Sequence, residues 1–339
     1  MRTLTFGLTI AVALAAAGVV RADTTITLDM VPVGDAGNVA DSTGYGAVAY
    51  NYNIGKYDVT LAQYVQFLNA VAKTDTYGLY NSYMGTDYAT QGISQNGSPG
   101  SFSYSVTGSA LGAANMPAFD VTWGDAARFA NWLQNGHGTA TTVGQAYALT
   151  EAGAYTLNGG TSQSVLMTMT RNPGATYFIP SEDEWYKAAY YVGGGTNAGY
   201  WAYPTQSSVP PTNSLALAGT NSNDANYDNG ITLTDPTNFL TPVGTFVASP
   251  GAYGTFDMGG NVWQWNETAV TSSSRGFRGG SYYHTGPDAM ASSYRADGDP
   301  TTLLWMRGFR VASVPEPSSI AMFFAGIMAF GIWRLHRNL

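Results

Sequence analysis

The segment Gly254-Thr-Phe-Asp-Met-Gly-Gly-Asn-Val-Trp-Gln-Trp-Asn266 carries more information about the fold than any other part of this chain. Its glycines permit tight turns, and its acid and amide side chains, together with backbone carbonyls, are groups that can surround a hard cation. Two further motifs follow it, Arg278-Gly-Gly-Ser281 and Arg307-Gly-Phe-Arg-Val311. The three motifs predict a turn-rich region that packs on Trp263 and Trp265.

Three upstream segments carry the same helix-start signal. In each, a Ser or Thr precedes an acid or amide by three residues, which is the capping-box pattern that satisfies free backbone N–H groups. We expect the second helix to run to Leu133 and the third to end at Tyr190 or Tyr191. The segments are Thr60-Leu-Ala-Gln63, Thr122-Trp-Gly-Asp125 and Ser181-Glu-Asp-Glu184, and the expected buried face of the first helix consists of Leu61, Tyr64, Val65, Leu68 and Val71.

The order of these motifs resembles the sulfatase-modifying factor family, to which the formylglycine-generating enzymes belong. The resemblance runs from about Met30 to Ser313 and is carried by the Gly-Asn-Val-Trp segment and the phrases before it. It implies one loop-rich α+β domain of the formylglycine-generating-enzyme type, related to the C-type lectin fold. The upstream phrases are Tyr57-Asp-Val-Thr60, Pro117-Ala-Phe-Asp-Val-Thr-Trp-Gly-Asp125 and Ile179-Pro-Ser-Glu-Asp-Glu-Trp185.

Both ends of the chain resemble processing signals. Residues 1–22 have a basic start, an apolar run and small residues near the end, as in a secretory signal peptide. Residues 314–339 resemble a PEP-CTERM sorting signal, which implies an exosortase-type processing enzyme and transient anchoring in the inner membrane. Its apolar run, Ile320–Trp333, has 14 residues, whereas a comfortable span needs about 20. A permanent anchor is the alternative, and the family-like domain is expected to occupy residues 23–313.

The charge balance argues against nucleic acid as a partner. Charged residues make up 11% of the chain, compared with about 25% in an average soluble protein. The four arginines at the two ends are expected to be removed, which leaves 10 basic residues against 22 acidic ones. Phosphate binding needs clustered Lys and Arg. The composition is compatible with a divalent cation or a neutral polymer.

The resemblance implies a first calcium site in the quoted loop. Asp257 and Gln264 would supply side-chain oxygens, and Gly260 and Val262 would supply backbone carbonyls. The family more usually has an amide first and a glutamate last, so this chain retains one carboxylate with its location exchanged. A packed turn without a metal is the alternative.

A second calcium site is implied upstream of the first. By resemblance, Asn226 and Asp235 would supply side-chain oxygens, and Tyr227 and Thr237 would supply carbonyls. The loop between the two halves is shorter than is usual in the family, so a solvated polar loop is the alternative. Two further acids offer competing ligands, Asp224 and Asp228.

The copper site of the family has no counterpart here, because the chain contains no cysteine. The two cysteine positions fall at His284 and Ala289, and copper capture depends on two soft thiolates. Copper is therefore not expected, and a hydrogen-bonded structural histidine is expected at His284. An iron site of the family's sulfoxide synthases would need three histidines, and the part between the signals has His137 and His284. A hydrolase that uses Ser281 and His284 lacks an identifiable orienting acid.

Two segments, residues 76–115 and 134–170, resemble insertions into the domain. Each carries a single charge, Asp87 in the first and Glu151 in the second. The alternation Ser164-Val-Leu-Met-Thr-Met-Thr170 predicts a strand. The arginines near the end of the domain are expected to pair with core acids: Arg278, Arg295, Arg307 and Arg310.

The sequence favours a secreted, surface-sorted, calcium-stabilised domain that acts as a binding or extracellular-matrix protein. An exopolysaccharide, another glycan or an envelope protein is the expected class of ligand, by analogy with lectin-like folds. One alternative is an oxidoreductase or another enzyme that uses the same cleft. A purely structural cell-surface protein is the other.

Overall fold

The computed structural model describes residues 26–314 of the chain. The predicted signal peptide, and all of the predicted sorting signal except Val314, lie outside the described residues. Within residues 26–314, no helix is both long enough and apolar enough to cross a membrane.

Two small sheets frame the region of the quoted motifs. The first is antiparallel and has the strand order β1-β2-β10-β5, and the second has the order β8-β7-β6-β9, in which β6 and β9 are parallel. The strand β6, Trp263–Ala269, begins inside the quoted segment, so this segment enters the second sheet between two partner strands. The strands are β1 Met30–Val33, β2 Tyr52–Gly55, β5 Tyr177–Phe178, β6 Trp263–Ala269, β7 Arg275–Arg278, β8 Ala296–Gly298, β9 Arg307–Phe309 and β10 Ala312–Ser313.

The three predicted helices are present and begin at the predicted caps. Thr60, Thr122 and Ser181 each accept a hydrogen bond from the backbone N–H three residues later, and the side chain of that later residue accepts one from the backbone N–H of the cap. These capping boxes satisfy backbone donors at the start of each helix. The helices are α1 Leu61–Val71, α2 Trp123–Gln134 and α5 Glu182–Tyr190.

The predicted buried face of α1 needs one correction. Val65 is only half-buried, whereas Phe67 is fully buried. Phe67 packs on Phe129 and Trp132 of α2, with ring centroids 5.3 Å and 5.4 Å away. The aromatic contact between the two helices therefore sets the rotation of α1, and it rotates the helix slightly from the face that the aliphatic spacing suggests.

The first insertion, residues 76–115, contains an antiparallel hairpin formed by β3 Gly92–Asn96 and β4 Ser103–Thr107. The second, residues 134–170, contains two further helices, α3 Val143–Thr150 and α4 Gln163–Leu166. The prediction of a strand over residues 164–170 was wrong, because the helical turn α4 occupies the start of this segment. The Arg275 guanidinium donates hydrogen bonds to the backbone carbonyls of Leu166, at 2.6 Å, and Met169, at 2.7 Å. Those carbonyls would otherwise have to pair with a neighbouring strand.

The only charge of the second insertion holds the insertion against α2. The Glu151 carboxylate accepts two hydrogen bonds from the Arg128 guanidinium, at 2.7 Å and 2.9 Å, and both side chains are buried. It also accepts a bond from the backbone N–H of Gly159 at 2.8 Å. A buried charge pair needs this degree of hydrogen bonding to offset its desolvation. The insertion is therefore docked on the domain at its base.

Candidate functional site

The quoted loop adopts the tight turns that its sequence predicts. Asp257 and Asn261 have positive φ angles of 55° and 61°, and Gly260 has a φ of 79°. A Cβ atom on Gly260 would lie 2.2 Å from the backbone oxygen of Asn226, so only glycine fits there. Trp263 and Trp265 are buried, as predicted. The close approach at Gly260 also joins the two loops that the sequence links to calcium.

The side-chain oxygen of Gln264 is already fully engaged. It accepts a hydrogen bond from the indole N–H of Trp185 at 2.7 Å and a second from Nε of Arg310 at 2.7 Å. The amide nitrogen of Gln264 donates to the backbone oxygen of Asp257 at 2.6 Å. An amide oxygen has two lone pairs. Both are used by protein donors here, so Gln264 has no oxygen lone pair left for a metal in this arrangement.

The Arg310 guanidinium lies in a cage of oxygen atoms. Besides Gln264, it donates to the backbone oxygens of Gly55, at 2.8 Å, and Phe256, at 2.9 Å. Its nearest acid is Asp58, whose Oδ1 is 3.5 Å away. The arginine is fully buried, and burial lowers its pKa while Asp58 and Asp257 oppose that shift. The protein's own cation thus holds together the segments around the quoted loop.

The carboxyl group of Asp257 is buried and is held by a backbone donor. Its Oδ2 accepts a hydrogen bond from the backbone N–H of Gly244 at 2.6 Å. Burial raises the pKa of Asp257 to about 6, while the bond from Gly244 and the charge of Arg310 act in the opposite direction. Because Gln264 is directed to Arg310, the predicted four-ligand set does not fit as a whole. Calcium at Asp257 stays a prediction that needs other oxygens.

The second predicted loop contacts the first through its asparagine. The Asn226 amide nitrogen donates to the backbone oxygen of Phe239 at 2.9 Å and to Oδ1 of Asn261 at 3.0 Å. Its own side-chain oxygen is buried and has no hydrogen-bond partner among the described residues. Buried polar atoms without a partner are rare and often mark a water or an ion. This atom fits a ligand role.

The other members of the second set are held by the protein. The Asp235 carboxylate accepts hydrogen bonds from the backbone N–H groups of Thr237, at 3.0 Å, and Asn238, at 2.9 Å. The Tyr227 carbonyl accepts from the Thr234 hydroxyl at 3.0 Å and from the Asn213 amide at 3.2 Å, so both of its lone pairs are used in this arrangement. The Asp235 carboxylate has further lone pairs. Asn226 and Asp235 therefore retain oxygens for a cation, whereas Tyr227 does not.

The two positions at which the family resemblance implies cysteines are occupied by His284 and Ala289, so neither carries a thiol. Ala289 is buried in a single turn, Pro287–Met290. The His284 ring packs against Trp263 and Tyr294, with centroids 5.8 Å and 5.7 Å away. Within residues 26–314 it makes no side-chain hydrogen bond, so the expectation of a hydrogen-bonded histidine was wrong. Aromatic packing orients it instead.

The hydrolase arrangement is not formed. The Ser281 hydroxyl contacts the sulfur of Met306 at 3.5 Å. Its link to His284 is a backbone bond, from the His284 N–H to the Ser281 carbonyl at 3.1 Å. A nucleophile needs its base within hydrogen-bond reach of the hydroxyl. These two side chains do not meet this condition.

Beside His284 lies an aromatic pair that the sequence analysis missed, the exposed Tyr283 and the half-buried Trp305. The side chain of Tyr283 is 55% exposed, and its ring meets Trp305 edge-on at a centroid distance of 4.8 Å. Tyr282 packs on Trp305 at 5.6 Å, and the Tyr88 hydroxyl donates to the Trp305 carbonyl at 2.6 Å. The adjacent Tyr282 and Tyr283, which follow the Arg-Gly-Gly-Ser motif, were the sequence signal that could have indicated this surface. Their partner Trp305 lies in a separate loop.

The four arginines do not all behave as predicted. Arg278 and Arg295 share the carboxylate of Glu182, at 2.8 Å and 2.6 Å, and Arg310 lies near Asp58. Arg307 has no acidic partner among the described residues, so the prediction was wrong for it. Its guanidinium packs on Phe277 and Trp265 at 4.2 Å and 4.8 Å. Two of its nitrogens are buried without a hydrogen bond in the described part of the chain.

Comparison with known proteins agrees with this geometry. The sequence matches a model of the sulfatase-modifying factor enzyme 1-like domain over residues 36–314. The chain belongs to this family. The expected loop-rich α+β domain is thereby confirmed. No protein among those with curated functions matches the sequence.

Two solved structures show the same fold. The crystal structure of CarF has a TM-score of 0.51 and 20% sequence identity, and the match covers 86% of this chain and 99% of that chain. The variable protein 1 of Treponema denticola has a TM-score of 0.50 and 18% identity, with 86% and 97% covered. At these identities the likeness concerns the fold alone.

Protonation of Asp58 predicts a pH dependence of stability. Burial raises the pKa of this carboxyl to about 8, although Arg310 lowers it. In the unfolded chain it titrates near 4. Between about pH 4 and pH 8, the folded state therefore retains a proton that the unfolded state releases, so stability falls as the pH rises. We expect the urea midpoint to fall between pH 5 and pH 8, and to fall less in Asp58→Asn. An equal fall in both proteins would contradict this assignment.

Proposed function

We propose that this protein is an exported binding domain that holds a neutral glycan on the Tyr283–Trp305 aromatic pair. In this proposal, calcium stabilises the loops of the domain, and the domain does not oxidise cysteine. The observation that carries the proposal is the exposure of Tyr283, which packs on the half-buried Trp305 and lies next to His284, where the family's first cysteine position falls.

The aromatic pair has the properties of a sugar platform. The Tyr283 side chain is 55% exposed, and tyrosine combines an apolar ring with a hydroxyl, which suits the mixed apolar and polar faces of a sugar ring. Trp305 is fixed by the hydrogen bond from Tyr88 and by packing on Tyr282. A fixed ring loses little conformational entropy on binding. The pair can therefore bind a ligand without first ordering a loop.

The charge of the domain favours a neutral ligand over an acidic one. The chain has a net charge of −8, and the part between the two end signals is more acidic still. An anionic polymer would be repelled at long range. A neutral exopolysaccharide is the ligand class that agrees with both the aromatic surface and the charge.

The enzyme alternatives have less support. Copper oxidation of a substrate cysteine in this family uses a cysteine pair, and this chain has none. The Ser281 hydroxyl and the His284 ring face Met306 and aromatic rings, respectively. A purely structural role is the remaining alternative, and it predicts no glycan binding.

Calcium is proposed at the second loop, with ligands from the side chains of Asn226 and Asp235 and from the Thr237 carbonyl. The buried side-chain oxygen of Asn226, which has no partner in the described residues, supports it. The Asn226 amide also bonds to the Phe239 carbonyl, in the turn that Asp235 begins. An ion would link this turn to the Asn226 segment and supply the missing partner.

Export and surface sorting are proposed from the two end signals alone. Residues 1–22 and 314–339 carry the features of a secretory and a PEP-CTERM signal. An exosortase-type enzyme would cut near Pro315 and release the domain to the cell surface or matrix. The C-terminal peptide of protein recovered from cell surfaces tests this directly, and an intact Arg334–Leu339 end there would indicate an ordinary anchor.

The glycan proposal predicts a selective effect of Tyr283→Ala. Affinity electrophoresis in gels that contain dextran, mannan or galactan is expected to retard the wild type in at least one gel. The variant should lose most of this retardation, because the exposed platform is gone. Tyr147→Ala is the matched control, since Tyr147 is 41% exposed on α3 in the second insertion. Equal retardation of all three proteins, or of none, would contradict the proposal.

The calcium proposal predicts that a chelator lowers the melting temperature. Calcium at a hundredfold excess over its dissociation constant stabilises a folded protein by about 2.7 kcal/mol per site. Asp235→Asn should reduce the calcium-dependent shift, whereas the exposed substitution Asp297→Asn should leave it unchanged. If Asp235→Asn responds to calcium like the wild type, the second loop is not a calcium site.

A further inference from the structure

We propose that Asp228 positions Tyr283, the exposed ring of the proposed glycan surface. It does so by holding residues 285 and 286, which lie just after Tyr283 in the chain and contact Asp228. This inference rests on the proposed function, because it assigns Asp228 a role in glycan binding. It concerns an acid that the sequence suggests only as a competing calcium ligand, and it requires no bound ion.

The loop that carries Tyr283, residues 281–286, lies outside the helices and the named strands. Tyr283 and Thr285 are exposed in it, whereas Tyr282 is buried. An exposed ring on such a loop binds a ligand without an ordering cost only if neighbouring segments already hold the loop in place. The contacts that fix residues 281–286 therefore bear directly on glycan affinity.

On the C-terminal side of Tyr283, the loop is held by Asp228. The backbones of Asp228 and Thr285 form a parallel bridge, and the Gly286 N–H donates to the Asp228 carbonyl at 2.7 Å. The Thr285 hydroxyl donates to Oδ2 of Asp228 at 3.2 Å. Asp228 thus contacts the loop through its backbone and through its side chain.

Asp228 is itself fixed by the turn that it begins. Its Oδ1 accepts a hydrogen bond from the backbone N–H of Gly230 at 2.8 Å, and its backbone forms an antiparallel bridge with Leu233. Gly230 lies against the loop, because a Cβ atom placed on it would be 3.5 Å from the methyl carbon of Thr285. The two oxygens of one carboxylate therefore join this turn to the loop of Tyr283.

On the N-terminal side of Tyr283, the loop is supported by Phe239. The Phe239 ring packs on the Tyr282 ring at a centroid distance of 5.7 Å. The backbone N–H of Phe239 donates to the Asp235 carbonyl at 2.8 Å, which fixes this aromatic residue in its own turn. Both supports belong to residues 226–239, so one segment holds the loop before and after Tyr283.

Loss of the side-chain bond between Thr285 and Asp228 should loosen the loop without unfolding the domain. This bond is exposed, and loops on exposed hydrogen bonds open locally at a lower free energy than the whole domain unfolds. A loosened loop must be ordered again when a glycan binds, which lowers the affinity. Glycan affinity should therefore respond to this bond more strongly than the stability of the domain does.

Affinity electrophoresis over a range of dextran, mannan or galactan concentrations, with whichever glycan retards the wild type, tests this role. We expect Thr285→Val and Asp228→Ala each to raise the dissociation constant roughly threefold to tenfold. Thr285→Ser keeps the hydroxyl and should bind like the wild type. The double variant should bind like Asp228→Ala, because that change already removes the bond. Asp288→Ala is the matched control, since Asp288 is an exposed acid near this loop whose side chain makes no hydrogen bond within residues 26–314.

The outcomes separate this inference from the proposed function. If Tyr283→Ala loses binding while Thr285→Val and Asp228→Ala bind like the wild type, the glycan surface stands and the positioning role is overturned. The role is also overturned if Asp288→Ala weakens binding as much as Asp228→Ala, or Thr285→Ser as much as Thr285→Val. If no glycan retards the wild type, the proposed function fails and the inference fails with it. Circular dichroism checks folding, and the two Thr285 variants decide the outcome if Asp228→Ala does not fold.

Discussion

The buried guanidinium of Arg310 is the constraint on which the centre of this domain depends. A buried charge must be solvated by protein groups, and here a glutamine amide and two backbone carbonyls do so, with Asp58 nearby. These groups come from β2, the quoted loop and β6. The same Gln264 oxygen receives the indole proton of Trp185, so α5 is held by the same cluster. Moving any of these elements would leave a charge unsolvated.

This arrangement changes how the oxygen atoms of the quoted loop are interpreted. Oxygen atoms that resemble a metal-ligand set in the sequence are partly used by an internal cation, and the arginine performs the cross-linking that an ion would perform. Buried oxygens without partners in the described part of the chain occur on the neighbouring loops at Asp224, Asn226 and Thr241, and also at Thr255 in the quoted segment and at Asp58 beside Arg310. The calcium ion proposed at Asn226 and Asp235 would bind on a loop next to the arginine cluster and stabilise that loop.

Local signals predicted the helices well, because a capping box involves residues only three apart. The family and the buried tryptophans also followed from contiguous motifs. The engagement of Gln264 could not be predicted, since its partners lie 46 and 79 residues away. The same holds for the failed strand at residues 164–170, whose carbonyls are bonded by Arg275 more than 100 residues later. Trp305, the partner of Tyr283, has no sequence motif of its own.

A double-mutant cycle on Gln264→Leu and Arg310→Met tests most directly whether this cluster holds the centre together. Each single variant leaves a buried polar or charged partner unsatisfied, so each should cost about 3 kcal/mol or more in urea unfolding. The double variant removes both partners, and its cost should fall short of the sum by about 1–3 kcal/mol. Costs that add to within about 0.5 kcal/mol would show that the two side chains act independently. That result would contradict the central role given to Arg310.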